Sequence, residues 1–147
     1  MREKWKKIAE ELAELAAEQV FPIETLGEGI NDVRIAQNFR LVEFQCKCCG
    51  AVKIDPELVR RLQKMRDEIG QSLIVNSGYR CPEHNRAVGG AADSQHLYGR
   101  AADVSCPSIV IGRLHTIAEK YFPDGGVGKY AGFVHVDTRG TTARWNG

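Results

Sequence analysis

One segment of the chain carries helix signals at both of its ends. Asp55 belongs to the residue types that cap the start of a helix, and Pro56 suits the first helical position. Gly70 suits the stop at the other end. Between them, apolar residues recur at the spacing of one helical face: Leu58, Leu62, Met65 and Ile69. The pattern therefore predicts a helix over residues 55–70 that buries one face against a core.

Short strands and a further helix surround this segment without regular alternation. Apolar runs predict strands at 39–45, 73–75, 101–105 and 133–137 and a helix at 109–121. Turns are predicted at Ser77-Gly78 and Asp124-Gly125-Gly126, and a long functional loop at 81–95. In the last strand Val134 and Val136 lie on one face and Phe133, His135 and Asp137 on the other. Because no βαβ order appears, the pattern favours an α+β fold.

The N-terminal part of the chain has a different character. Apolar residues at helical spacing predict an amphipathic helix there: Trp5, Ile8, Leu12, Leu15 and Val20. We interpret it as a helix packed on the domain, with a docking helix or a self-association seam as the alternative. Residues 22–38 hold Pro, two Gly and two Asn without a period, which indicates a linker or an irregular arm. The predicted division is an N-terminal helix and linker over 1–37 and one domain over 38–147.

Length and charge exclude several classes of protein. A chain of 147 residues can bury one core but is short for two ordinary domains. A formal net charge of +1 gives no bulk attraction to nucleic acid or to anionic membranes. No run of 18 apolar residues predicts a membrane span. Glutamates interrupt the only region where a secretory signal would lie, so we expect synthesis in the cytoplasm without a signal peptide. The sequence does not predict an oligomeric state.

A group of metal-ligating residue types follows residue 80. His96 leaves a loop, Gly99 permits a sharp turn, and Asp103 follows on a predicted strand. His135 lies far downstream in the middle of another strand. Two imidazoles and one carboxylate from separate elements can form an open zinc site, in which the fourth position is left for water. Each residue alone also has an ordinary structural interpretation, as a histidine satisfied by backbone or an aspartate paired with Arg100.

The five cysteines pose a separate question, because an odd number cannot pair completely within one chain. Three of them form the run Cys46-Lys47-Cys48-Cys49, which Cys81 and Cys106 are able to join. We favour small core or turn cysteines over a disulfide, and a disulfide over a second metal, because structural zinc sites usually show two separated ligand pairs.

Taken together, these motifs make the sequence resemble the bacterial and phage zinc peptidases of the D-alanyl-D-alanine carboxypeptidase type, which share their fold with hedgehog signalling domains. One family signature is Ser-x-His, six further residues and Asp, which fits Ser94, His96 and Asp103. A second is a histidine on a late strand, which fits His135. The run 77–80, Ser-Gly-Tyr-Arg, fits another family element. The resemblance covers roughly residues 38–145, including the Gly125–Gly128 turn and Trp145.

The resemblance implies a small, mainly antiparallel sheet flanked by helices, and zinc bound by His96, Asp103 and His135. It also implies hydrolysis of peptide bonds in bacterial peptidoglycan, by a D-Ala-D-Ala carboxypeptidase or by an endopeptidase of stem peptides and cross-links, which the run 134–137, Val-His-Val-Asp, resembles most. Stem peptides are the implied partner, and a phage-type release is one route to the cell wall. The family places an arginine near the metal to hold a substrate carboxylate or carbonyl, which assigns that role to Arg80. We add Ser94 and Tyr98 as candidate substrate contacts. The alternatives are an inactive binding or structural module with the same fold and a redox protein built on the cysteines.

One position departs from the family pattern. Many relatives carry an acid three residues before the last zinc histidine as general base, and here that residue is Gly132. We expect Asp137 to assist the reacting water instead, or to orient a group that does, because it shares a strand face with His135. The second choices for the base are Glu83, His84 and Asp93.

Overall fold

A central five-stranded sheet organises the computed structural model, which describes residues 21–23 and 31–147. Its strands are β5 (Ile74–Ser77), β6 (Ala101–Ser105), β7 (Gly126–Lys129), β8 (Val134–Asp137) and β9 (Ala143–Asn146). They lie in the order β5-β6-β8-β7-β9. Only the β7–β9 pair is parallel within this sheet, so the expected α+β fold with a mainly antiparallel sheet is confirmed.

In the part of the chain that the structure describes, two small antiparallel sheets lie outside the central one. They pair β1 (Phe21–Ile23) with β4 (Val52–Ile54), and β2 (Arg34–Ala36) with β3 (Phe39–Arg40). The prediction of an irregular arm over 22–38 is therefore wrong for β1 and β2, and Val33 and Ile35 pack against the core. The boundary between 37 and 38 stays a prediction. The predicted helix containing Trp5, Ile8, Leu12, Leu15 and Val20 lies outside the described residues.

Among the described residues, three α-helices flank the sheets: α1 (Pro56–Ile69), α2 (Pro82–Ala87) and α3 (Ile111–Tyr121). The predicted ends of α1 are confirmed. The Asp55 side chain accepts a hydrogen bond from the Glu57 amide at 3.0 Å, and Gly70 ends the helix with φ of +70°. In that left-handed conformation a glycine avoids the steric cost of a side chain.

The hydrophobic core lies between the helices and one face of the central sheet. Its largest fully buried side chains are Phe39, Phe44, Phe122, Leu58, Leu62, Met65 and Leu114. Val134 and Val136 of β8 belong to this core, as do Ala102 and Val104 of β6. The alternation predicted for residues 133–137 is therefore confirmed, and the opposite face of β6 and β8 is left for polar side chains.

Three local predictions differ from the structure. The strand predicted at 39–45 ends at Arg40, and a 3₁₀ helix follows at Leu41–Phe44. Leu41 and Phe44 are both buried, a spacing of three that suits a helical turn rather than a strand. The loop predicted at 81–95 contains α2, which begins with a proline at the first helical position. The turn predicted at 124–126 gives way to β7 from Gly126, because pairing with β8 and β9 overrides the local turn signal.

Within the described part of the chain, no helix is both long enough and apolar enough to cross a membrane.

Candidate metal centre

Strand register sets two of the three predicted ligands beside each other. Asp103 on β6 is the direct antiparallel partner of His135 on β8. Both side chains point to the polar face, because their neighbours on each strand point into the core. Ser77 of β5 stands opposite Asp103 on the other side, across an irregularity in the register.

His96 reaches the same place from a separate element. It lies in a 3₁₀ helix, Gln95–Tyr98, whose first turn is capped by the Ser94 hydroxyl accepting from the His96 amide at 3.3 Å. Gly99 ends this helix with φ of +70°, and a Cβ there would lie 2.3 Å from the Lys53 carbonyl oxygen. The glycine therefore allows the sharp return into β6 that brings His96 and Asp103 together.

The three donor atoms converge. Asp103 Oδ1 lies 3.2 Å from His96 Nε2 and 3.0 Å from His135 Nδ1. All three ligand atoms lie within 4.8 Å of one another, and all three residues are buried. The other ring nitrogens are already engaged: His96 Nδ1 donates to the Gly78 carbonyl at 2.7 Å, and His135 Nε2 lies 2.7 Å from Asp137 Oδ2.

These contacts require a positive charge at the centre. Because the Gly78 carbonyl accepts from Nδ1 of His96, neutral His96 presents a lone pair at Nε2 towards a carboxylate oxygen. Both nitrogens of His135 face carboxylates, so neutral His135 satisfies only one of them. Burial alone lowers the pKa of His135, but the hydrogen bonds to Asp103 and Asp137 outweigh burial and raise that pKa. A cation among the three donors removes both conflicts.

The donor set and its spacing fit zinc. Imidazole nitrogen and carboxylate oxygen bind zinc at about 2.0–2.2 Å, which separates neighbouring donors in a tetrahedron by about 3.3–3.5 Å. The observed separations from Asp103 Oδ1, 3.0 and 3.2 Å, lie close to that range. Three protein ligands leave the fourth position free, as in catalytic zinc sites.

Asp137 lies behind His135 and is fully buried. Its carboxylate accepts from the Gly126 amide at 2.9 Å and from the Arg139 guanidinium at 2.7 and 2.9 Å. Burial by itself raises the pKa of Asp137, but hydrogen bonds from Arg139 and His135 outweigh it and hold the pKa well below its usual range. The carboxylate therefore stays ionised and faces the His135 nitrogen that points away from Asp103.

Arg80 contacts the centre directly. Its Nη2 donates to Asp103 Oδ2 at 3.1 Å, while Nε donates to Ser77 and Nη1 to Asn85. The side chain is 15% exposed, so it is held in place rather than free to move. For Asp103, burial raises the pKa, and hydrogen bonds with His135 and His96 outweigh it and lower that pKa.

An aromatic wall that the sequence analysis did not assign as functional covers His135. The Trp145 ring lies 5.0 Å from the His135 ring, and the indole nitrogen donates to the Tyr130 hydroxyl at 2.9 Å. Gly128 on β7 pairs with His135 on one side and with Trp145 on the other. A Cβ at Gly128 would lie 2.3 Å from the Trp145 indole nitrogen. The signal in the sequence was Gly128 itself, since a glycine within a strand often marks a close approach.

The remaining predicted residues lie at or beyond the rim of the centre. Tyr98 is 45% exposed, with Arg100 over its ring. Glu83 and His84 lie in the first turns of α2, and the amide of His84 donates to Cys81. Asp93 is exposed, and its charge joins that of Asp137 in raising the pKa of Arg139.

Comparison with known proteins gives two matches. A family model described as Peptidase M15 matches residues 37–137. A segment of 49 residues is 47% identical to the zinc D-Ala-D-Ala carboxypeptidase of Streptomyces albus G. That segment is 33% of this chain and 19% of the relative, so the match spans about a fifth of the length of that protein.

We expect His96→Ala and His135→Ala each to lower the bound zinc by one equivalent per chain, because two protein donors rarely hold the ion. Elemental analysis of the purified, folded proteins measures this. His115→Ala is the matched control, since His115 lies on α3 and pairs with Glu119 at 3.3 Å. Full zinc retention in both His96→Ala and His135→Ala would contradict the assignment.

Proposed function

Because the chain belongs to the Peptidase M15 family, we propose that it is a zinc-dependent peptidase acting on the peptides of bacterial peptidoglycan. The observation that carries the proposal is the convergence of the ligand atoms of His96, Asp103 and His135 at the polar face of the sheet. The relative from Streptomyces albus G supports zinc and the D-Ala-D-Ala terminus as the substrate class. Action at the cell wall follows from this substrate, and release of a phage type stays a prediction.

Each protein group has a separate task in this mechanism. Zinc, when bound, supplies a Lewis acid and lowers the pKa of a water molecule towards about 7. His96 Nε2, His135 Nδ1 and Asp103 Oδ1 provide the donors. The Gly78 carbonyl and Asp137 hold the two imidazoles in the tautomers that direct those nitrogens inward.

Arg80 is proposed to bind the substrate while it also holds Asp103. A guanidinium has five N–H donors, and three of the donors of Arg80 are used by Ser77, Asn85 and Asp103. The two that remain are one on each terminal nitrogen, a pair that matches a carboxylate. The terminal carboxylate of a D-Ala-D-Ala peptide is the ligand that this pair fits best.

Of the two roles expected for Asp137, we propose the orienting one. The imidazole of His135 lies between the Asp137 carboxylate and the other two donors. Arg139 and the Gly126 amide also donate to that carboxylate. Asp137 is therefore a positioning residue for His135. Glu83, His84 and Asp93 stay the candidates for the general base.

The proposed activity is tested by mass spectrometry of defined muropeptides before and after incubation with the zinc-loaded protein. We expect loss of a terminal D-Ala from a pentapeptide stem, and no change with His135→Ala. Cleavage within a stem or a cross-link instead would identify an endopeptidase. Absence of any product, with zinc bound at the three donors, would favour the inactive binding module.

We expect Arg80→Lys to lower kcat/KM on a peptide with a free C-terminal carboxylate by roughly 10- to 100-fold, the value of a hydrogen bond to a charged group. Lysine keeps a positive charge near Asp103 but loses the planar fork. Arg86→Lys on the exposed face of α2 is the control. The C-terminal amide of the same peptide should be cleaved nearly equally by wild type and variant. An equal loss on both peptides would contradict carboxylate recognition.

We expect Asp137→Asn to weaken zinc binding by about 10- to 100-fold, as loss of a partner behind a metal ligand usually does. Chelator competition measures the affinity, and activity is then measured at zinc concentrations that saturate the variant. Asp67→Asn on the exposed side of α1 is the control. If the variant keeps wild-type zinc affinity but loses about 100-fold or more in rate, Asp137 acts on the reacting water instead.

A further inference from the structure

Four cysteines that the proposed function does not use come together away from the three donors of the metal centre. Cys46, Cys48 and Cys49 lie in the irregular segment 45–50 that follows the first 3₁₀ helix, and Cys81 caps α2. All four sulfur atoms lie within 4.8 Å of one another. Cys106, which the sequence analysis allowed as a further member, is buried elsewhere in the core. We name Cys46, Cys48, Cys49 and Cys81 the thiol cluster.

We propose that the thiol cluster binds one structural zinc ion. Zinc binds thiolate sulfur at about 2.3 Å, which places neighbouring sulfurs of a tetrahedron about 3.8 Å apart. Cys46 and Cys48 have their sulfurs 3.6 Å apart, and those of Cys48 and Cys81 are 3.2 Å apart. The sulfur–sulfur distance expected around zinc, about 3.8 Å, lies above these two distances and below the 4.8 Å within which all four sulfurs lie.

Disulfide pairing fits this geometry less well. A disulfide bond joins sulfurs at about 2.05 Å, and all five cysteines are free thiols. Any one disulfide would also leave two thiols of the cluster beside it. A single ion satisfies all four at once, and a closed set of four cysteines is the usual donor set of a structural zinc site.

Backbone amides support sulfur atoms that act as ligands. The amide of Cys81 donates to Cys46 Sγ at 3.4 Å, and the amide of His84 donates to Cys81 Sγ at 3.4 Å. Such bonds orient thiolates and stabilise their charge. The bond from His84 follows from the position of Cys81 at the N-cap of α2, where the first helical amides have no partner within the helix.

Cys81 gives the thiol cluster the second, separated ligand group that the run 46–49 lacks. Structural zinc sites usually draw on two separated groups of ligands, and the run 46–49 alone offers one. The fold supplies the second by bringing Cys81 to that run from 35 positions away along the chain. A backbone hydrogen bond also joins the two segments, since the Tyr79 amide donates to the Phe44 carbonyl at 2.8 Å.

The test measures zinc per chain in protein purified from zinc-supplemented medium under reducing conditions. We expect two equivalents in wild type, and one in Cys48→Ser and in Cys49→Ser. Both side chains are exposed, so serine costs little packing. Cys106→Ser is the matched control and keeps two equivalents. His96→Ala should keep one, and X-ray absorption at its zinc edge should show four sulfurs at about 2.3 Å.

Several results would overturn the proposal. One is a single equivalent in wild type that disappears in His96→Ala, and another is two equivalents retained in both cysteine variants. A mass lower by two hydrogens, which reports a disulfide, contradicts it as well. The absorption measurement leaves all four cysteines intact, so it decides the case even where a cysteine variant fails to fold. Zinc at the thiol cluster does not depend on peptidase activity, so each proposal can fail alone.

Discussion

The antiparallel register of β6 against β8 is the constraint on which the metal centre depends. It sets Asp103 opposite His135 and sends Ala102, Val104, Val134 and Val136 into the core. A slip of either strand by one residue would turn the side chains of that strand to the opposite face, moving its apolar residues off the core and Asp103 or His135 into it. The hydrophobic core therefore fixes the position of the polar donors, although it does not contact the polar face.

Charge balance around the donors follows from that arrangement. Two buried carboxylates, Asp103 and Asp137, share His135 between them, and each is paired with one arginine. Arg80 and Arg139 thus offset part of the carboxylate charge before any metal binds. Partnered carboxylates are tolerated in a buried site where isolated ones would be protonated. The site is consequently able to hold the Asp103 carboxylate ionised before a metal ion binds.

Much of this could be predicted from the sequence, because the signals are local. Asp55, Pro56 and Gly70 mark the ends of α1 in the sequence, and the alternation of apolar and polar residues marks β8. The three donors followed from a motif joined to a strand histidine. Features set by distant contacts were missed: the 3₁₀ turn at 41–44 and the indole of Trp145 over His135. Likewise, whether Asp137 faces the reacting water or the back of His135 depends on side-chain direction, which spacing alone does not determine.

A single segment, residues 77–81, contacts both Asp103 and His96 and reaches the thiol cluster. Ser77 pairs with Asp103 across the sheet, the Gly78 carbonyl holds the His96 ring, and the Arg80 amide donates to the His96 carbonyl. The same segment ends at Cys81, within the thiol cluster. Gly78 has no room for a side chain, since a Cβ would lie 2.6 Å from the Phe44 backbone. Fixing Cys81 to the turn at 46–49 therefore also limits how far Arg80 and His96 can move. One continuous backbone segment therefore contacts both the candidate metal centre and the thiol cluster.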